Sequence, residues 1–498
     1  MFDFLKKRVF IANFQNNGKV VRALKYTKKQ IKQISEGKPS EIADFITMLL
    51  GHIEKLEKRV QELERQVGSN SSNSNKPPSS DGLRKPQSLR VPGGKSGAPK
   101  GHKGHTLNMS ATPDGIEWHT PEVCSNCDHS LLDVPVQGFK RRQVVDIPVP
   151  RLIFTEHRSA SKCCPNCRKI QNGPFPNHIK APVQYGESWS AWCAYLHTYQ
   201  HIPLERISQL FGDLTGHRPS EGTLLSHLGK LSLKLEPIEG EIRKNLFGSK
   251  VVHADETGIR TEGKLHWLHT VSNGNWTLYN VHTKRGKEAF NSIGFLPAYK
   301  GTVVHDFWKS YFNDRYRFTH ALCGVHLLRE CQGIIDYDKH QWASKMQALL
   351  REALLEKKRA LTSGIPIEKE AISSLESRYD KILELGKKEW LPPINRDGPV
   401  KRGRKAKTKA ANLAERFILH KADILRFLKD GLVPFDNSQA ERDIRMVKVK
   451  EKISGSFRTM QGAEQFARIR GFISTARKQG RDLLSSIIDV NKGQFSFS

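Results

Sequence analysis

Acidic residues are scarce in this chain: 51 Asp and Glu stand against 81 Lys and Arg, a formal net charge of +30 over 498 residues. That deficit excludes a self-neutral surface and calls for a polyanionic partner, nucleic acid being the commonest, although ribosomal and membrane-surface proteins share the bias. Long apolar runs are missing too. A long uncharged stretch, Ser188 to Leu204, holds two His and several polar residues, so no membrane span is expected. Met1 to Phe14 carries Asp3 and a basic interruption in place of the clean apolar core of a secretory signal, and the chain reads as cytoplasmic. Cysteines number only eight, which in a reducing compartment read as thiols or metal ligands and not as disulfides. A hydrophobic share of 37% suits a globular protein with polar arms, and the length predicts two to four domains.

Along the chain, Ile42, Ile46, Leu49, Ile53, Leu56, Val60, Leu63 and Val67 alternate spacings of four and three, an a/d seam with charged flanks. It predicts either a coiled coil, most simply a parallel dimer, or one amphipathic helix packed on its own protein. Residues 1–68 thus form a basic arm and coiled coil. Residues 69–106 collapse to Ser, Asn, Pro, Gly and basic residues and read as a flexible linker. Cys124-x-x-Cys127 and Cys164-x-x-Cys167 follow, with strand-like Gln143–Ile147 and Leu152–Thr155 between them. Two such knuckles aim four thiolates at one point, the arrangement of a structural zinc ribbon over residues 107–182; Cys163 could replace Cys164, and reduced thiols without metal are the alternative. Residues 183–245 look helical, as a helical hairpin or a DNA-binding helix-turn-helix.

Lys250 to Phe312 is rich in β pattern. Strands at Lys250–Ala254, His266–Ser272 and Trp276–His282, a helix at Lys287–Ile293 and a strand at Thr302–His305 follow one another. Three strands, a helix and a strand is the order of a ribonuclease-H-like core, placed here at 246–325 and resumed at 432–485. Residues 326–431 read as a helical insertion. The fold class is therefore multidomain α+β: coiled coil, zinc ribbon, helical region and a ribonuclease-H-like α/β catalytic core with a helical insertion.

Two of these strands end in acid, at Asp255 and Asp306, and carboxylates at the carboxyl edge of a sheet in a basic protein suggest divalent-metal phosphoryl chemistry. Like charges about 4 Å apart cost about 4 kcal/mol at an effective dielectric of 20, so an acidic cluster needs cations. A third ligand is expected. Glu441, in the first turn of a helix that Asn437 can cap, competes from pattern alone with Glu415, Asp423 and Asp436.

These blocks, in order, resemble the DDE transposases of the insertion sequence sixty-six family. The resemblance rests on Asn75 to Asp81 after the coiled coil, the Cys knuckles, His253-Ala-Asp255-Glu256-Thr257 and Val304 to Tyr311. It continues through His320 to Glu330, Asp436-Asn437 to Glu441-Arg442, and Lys452 to Arg458 with Ala476 to Gly480. It implies that Asp255, Asp306 and Glu441 bind Mg²⁺ or Mn²⁺, alongside structural Zn²⁺ at Cys124, Cys127, Cys164 and Cys167. One ion between Asp255 and Asp306 would activate water to cut the element's end. A second, between Asp255 and Glu441, would stabilise the departing 3′ oxygen, and the freed 3′-hydroxyl would attack target DNA. Implied partners are double-stranded DNA, a second copy through the coiled coil and small accessory proteins of the same element, in a bacterial, nucleoid-associated setting. Lys448, Lys450, Lys452 and Arg458 are candidates for phosphate contact. Cys323-x-x-His326 looks like an element that follows the second aspartate in such enzymes, with packing as its other reading. The competing functions are a catalytically inactive, zinc-containing DNA-binding regulator derived from a transposase, and a nuclease without strand transfer.

Overall fold

The computed structural model describes residues 10–16, 19–25, 28–74, 107–390 and 407–497. They divide into two units: one drawn from Met1–Leu89 and Cys323–Gly431, the other from Arg90–Leu322 and Leu432–Ser498.

In the first unit, β1 (Phe10–Asn16) and β2 (Lys19–Lys25) pair antiparallel, ahead of a helix at Lys28–Ser35. The 30-residue helix Pro39–Gly68 starts on a proline whose missing N–H needs no partner at the first turn. Of its eight seam residues, Ile46, Ile53, Leu56, Val60, Leu63 and Val67 are exposed and Ile42 and Leu49 are half-buried. The helix end is anchored where Arg65 pairs with Asp338 at 2.6 Å. Residues 69–74, expected to be the start of a flexible linker, instead form a turn: Asn73 Nδ2 donates to Gly68 O at 3.2 Å and to Asp336 Oδ2 at 3.3 Å. Asn73 lies so near Gly333 that a Cβ there would meet its carbonyl oxygen. The rest of the expected linker, 75–106, lies outside the described residues. The predicted helical insertion is helical, with helices at Gly324–Asp338, Gln341–Ser363, Lys369–Trp390 and Lys409–Leu419. Buried Trp342 meets Trp390 edge-on at 4.8 Å, and Gly386 lets the two indoles close.

The second unit is built on a five-stranded mixed sheet. Two short strands outside it, β3 (Ser161–Cys163) and β4 (Ile170–Asn172), flank the second Cys knuckle, whereas Gln143–Ile147 and Leu152–Thr155 form no strand. The sheet contains β5 (Val251–Thr261), β6 (Lys264–Ser272), β7 (Thr277–His282), β8 (Thr302–His305) and β9 (Thr319–Leu322) in the order β7-β6-β5-β8-β9. The first three run antiparallel, and β8 and β9 run parallel to β5. The β5–β6 hairpin turns on Glu262 and Gly263, both at positive φ (54° and 73°), the two-residue geometry that matches strand twist. Asn273 closes the β6–β7 turn, its Oδ1 accepting from the N–H groups of Asn275 and Trp276 at 2.9 and 2.8 Å. The β7–β8 crossover carries the helix Lys287–Ile293, stopped by Gly294 at φ 68°.

Both faces of the sheet are covered. One buries Val252, Ala254, Val271 and Val303 against Ile242, Leu246, Phe290 and Phe295 from the helices Glu236–Phe247 and Lys287–Ile293 and the turn after them. The other buries Ile259, Leu268 and Tyr279 against Ile444, Val447 and Phe466 from the helices Ser438–Ser454 and Met460–Lys478. A third cluster joins the helices Glu187–Ala194, Leu204–Thr215 and Glu221–Lys234 to Met460–Lys478 and to Leu483–Lys492, so the chain packs beyond the expected boundary at 485.

Asn437 fastens the helix Ser438–Ser454 to β5. Its Nδ2 donates to Ala254 O at 2.8 Å and its Oδ1 accepts from His253 Nδ1 at 2.9 Å. The side chain is buried, so Asn437→Ala leaves two polar groups without partners. It should cost roughly 1–3 kcal/mol in chemical denaturation, and a loss under about 0.5 kcal/mol would contradict this joint.

Candidate active site

Strand register brings the two aspartates together. β5 and β8 pair in parallel as Val251↔Thr302, Val252↔Val303 and His253↔Val304; Asp255 follows two residues after the last pair on β5, and Asp306 directly follows the end of β8. Strands lie about 4.8 Å apart, and side chains alternate faces. Asp255 therefore shares the face of His253, towards the helix Ser438–Ser454, while Glu256 points the other way with Val252 and Ala254. That helix carries Glu441 in its first turn, its N–H donating to Asn437 O at 3.2 Å. The helix start differs from expectation: Asn437 occupies the cap position but bonds β5, and Asp436 Oδ1 takes the N–H of Ser438 at 2.9 Å instead.

Asp255, Asp306 and Glu441 are all half-buried. The Asp255 carboxyl is held well above its ordinary range, first by burial and then by the charges of Glu256, Asp306 and Glu441, with the Glu256 N–H opposing at 2.9 Å from Oδ1. Asp306 and Glu441 thus both act on Asp255, although among the described residues the three carboxylates do not bring oxygens mutually within 4.8 Å. Asp306 Oδ1 accepts the Trp308 N–H at 2.9 Å.

Behind them lies a group that sequence reasoning did not single out. Glu256 is buried, with Arg285 Nε at 2.9 Å and Nη2 at 2.8 Å from Oε1, and it accepts from Tyr311 Oη at 2.7 Å. Burial and then the Asp306 charge push its carboxyl up to about 7, against the pull of Arg285 and Tyr311. The Arg285 guanidinium sits 4.0 Å over the Trp308 ring and 5.0 Å over Trp267. The only signal for Glu256 was its place in the β alternation beside Asp255. Arg285 carried none.

The rival carboxylates have local work. Glu415 pairs with Lys407 at 2.6 Å, and Asp423 with Arg426 at 3.0 Å and His420 at 3.2 Å, all in the first unit. Among the four candidate phosphate-contacting cations, Lys450 is a correction. It is buried, donates to Gly455 O at 2.8 Å, lies 3.8 Å from the Phe457 ring centre and is pushed down to about 8 by burial. Lys448 is half-buried and bonds Gly258 O and, at 3.1 Å, Glu451. Lys452 and Arg458 face solvent. Cys323 is the buried cap residue of the helix Gly324–Asp338, and His326 lies in its first turn.

The two Cys knuckles form alike. Cys124 N–H donates to His129 O and Asp128 N–H to Cys124 O, both at 2.9 Å, with Asp128 at φ 56°. Cys164 N–H donates to Lys169 O at 3.0 Å and Arg168 N–H to Cys164 O at 2.8 Å, with Arg168 at φ 57°. Backbone donors, Asn126 first for Cys124 and Cys167 first for Cys164, lower both thiols. Among the described residues, however, no three of these sulfurs lie mutually within 4.8 Å.

A family described as Transposase IS66 family matches residues 182–465, more than half of the chain, and a family of unknown function, DUF6444, matches residues 21–108. No curated protein matches. Among solved structures, a chain of a simian T-cell lymphotropic virus intasome in complex with PP2A regulatory subunit B56 gamma is similar at 15% identity, over 43% of this chain and 80% of that one. Its TM-score is 0.14, too low to carry an argument. Among the described residues no helix is long and apolar enough to cross a membrane. With the family match spanning the sheet, both aspartates and the helix of Glu441, the chain belongs to the IS66 family of transposases.

Proposed function

We propose that this transposase cuts the ends of its element and joins the freed 3′-hydroxyls to target DNA, with Asp255, Asp306 and Glu441 as the metal-binding triad of a ribonuclease-H-like core. The observation that carries the reading is the charge coupling of Asp255 to both Asp306 and Glu441 at the carboxyl edge of parallel β5 and β8. The donor set fits Mg²⁺, with Mn²⁺ as substitute: hard carboxylate oxygens, half-open to solvent, raised in affinity for positive charge by their own repulsion. Such ions supply charge stabilisation at the scissile phosphate and a lowered water pKa. The chain's own part is orientation. The N–H groups of Glu256 and Trp308 each hold one oxygen of an aspartate, and Asn437 sets where the Glu441 helix meets β5. Exposed Lys452 and Arg458, just beyond that helix, suit phosphate contact.

Asp255→Asn and Glu441→Gln should each reduce end cleavage by about 10³-fold or more while DNA binding survives; cleavage at the wild-type rate would sink the assignment. Supplying a pre-cut 3′-hydroxyl end separates joining from cutting, and absence of joined product would leave only a nuclease.

The raised carboxyls also make a stability prediction. A group whose folded pKa is raised stabilises the fold fully below its unfolded pKa and loses that contribution as pH rises through the folded value. For Glu256 the window runs from about 4.5 to about 7, and Asp255 shifts in the same direction. In chelator, wild type should therefore lose stability relative to Asp255→Asn as pH rises above the ordinary aspartate value of 3.8. Mg²⁺ should restore it in wild type only. Parallel melting curves for the two proteins would contradict the cluster.

We also read Cys124, Cys127, Cys164 and Cys167 as one structural zinc site, supported by two equivalent knuckles with thiols lowered by backbone donors. The exposed seam of Pro39–Gly68 is read as a homodimeric coiled coil. Metal analysis should find about one zinc per chain, and light scattering a dimer that Leu56→Asp disrupts. A zinc-free, monomeric wild type would remove both readings.

A further inference from the structure

Resting on the reading of Asp255 and Asp306 as the metal-holding pair, we propose that Arg285 is their positioning residue. It ties together the two residues whose backbone N–H groups hold the aspartates. Glu256 holds Asp255 and Trp308 holds Asp306, each through an N–H···Oδ1 bond of 2.9 Å. The side chains of these same two residues meet on one guanidinium. Arg285 grips Glu256 Oε1 with Nε and Nη2, and its Cζ lies 4.0 Å from the centre of the Trp308 ring and 5.0 Å from that of Trp267.

The bracket is closed on its remaining sides. Tyr311 Oη takes the other Glu256 oxygen at 2.7 Å. Gly286, next to Arg285, packs closely on the same turn: a Cβ there would come within 3.2 Å of Ser310 Oγ and into ordinary contact, 3.6 Å, with the Trp308 indole. The bracket therefore reaches both strand ends from the β7–α crossover side, opposite the face on which Glu441 stands. A planar, delocalised cation suits the task, because only it can bond a carboxylate edge-on and stack on indole by its face. Lysine keeps the charge and loses the plane.

Arg285 also neutralises a buried carboxylate, so a purely structural role has to be separated from positioning. Mn²⁺ binding to the full-length chain, read as loss of the free-ion electron paramagnetic resonance signal, does this without relying on turnover. Arg285→Ala should bind Mn²⁺ about 10- to 100-fold more weakly, the usual range when a ligand's supporting group is lost. The double variant Arg285→Ala/Glu256→Gln, which removes the orphaned charge, should stay equally weak. Arg285→Lys should fall between. A folded double variant with wild-type Mn²⁺ affinity overturns the proposal; where the alanine variants do not fold, wild-type affinity in Arg285→Lys overturns it. Asp255→Asn is the control. If it binds Mn²⁺ like wild type, the metal-site reading has failed; if it loses binding while the Arg285 variants keep theirs, only the role of Arg285 has failed.

Discussion

Parallel pairing of β5 with β8 is the constraint on which the rest depends. It is a short pairing, three residue pairs long: β8 is buried throughout, whereas β5 buries Val252 and Ala254 on one face and leaves His253 and Asp255 half-buried on the other. Burial fixes the register, because a slip of one residue would turn Val252, Ala254 and Val303 out of the core and His253 into it. The same register delivers Asp255 and Asp306 to one edge. Burial thus holds Asp255 among like charges, and first that burial, then the charges of Glu256 and Asp306, keep its carboxyl well above its ordinary range.

The third carboxylate arrives by a different route. Glu441 is far away in sequence, on a helix that returns to the sheet from Leu432 onward. Its place is set by packing of Ile444 and Val447 on β5 and β6, by the Asn437 bonds to His253 and Ala254, and by the buried Lys478–Asp443 pair at 2.7 Å. Asn437 is spent on tertiary contact, so the local capping duty passes to Asp436. A residue type that favours a helix start on its own energetics is here committed to the sheet.

Much of the sheet was legible because alternation and turn chemistry agree with the tertiary structure. The β8 bounds match the pattern, and the β6–β7 turn on Asn273-Gly274-Asn275 follows from an Asn that bonds its own backbone. β5 is longer than the apolar run suggested, continuing to Thr261, because its second half alternates through charged and polar residues that the eye reads as an ending. Of the two aspartates expected at strand ends, Asp306 directly follows β8, whereas Asp255 lies within β5 and still pairs with Thr270 of β6. Glu441 was not separable from its rivals by pattern, since only folding shows that Glu415 and Asp423 are paired elsewhere. Arg285 was invisible for the same reason: it lies in a loop, and its partners Glu256 and Trp308 become neighbours only when β5 and β8 do.

The excess of positive charge, the first hint of a nucleic-acid partner, overstates the surface available to DNA. Lys450 is turned onto Gly455 O and the Phe457 ring, Lys478 onto Asp443 and the β6–β7 turn, and Lys357 onto the carbonyls of Asp430 and Gly431 at 2.8 and 3.0 Å. Burial lowers the pKa of all three. These cations bond carbonyl oxygens or a buried acid, groups that would otherwise stand unpaired in the interior, so their charge is used within the fold. Counterion release depends only on cations that reach phosphate. On and just beyond the helix that carries Glu441, the cations open to solvent include Arg442, Arg445, Lys452 and Arg458, whereas Lys450, two positions before Lys452, faces inward. The division follows from helix geometry: on a helix lying across a sheet, positions two apart face different surroundings, and identical side chains at 450 and 452 therefore do different work.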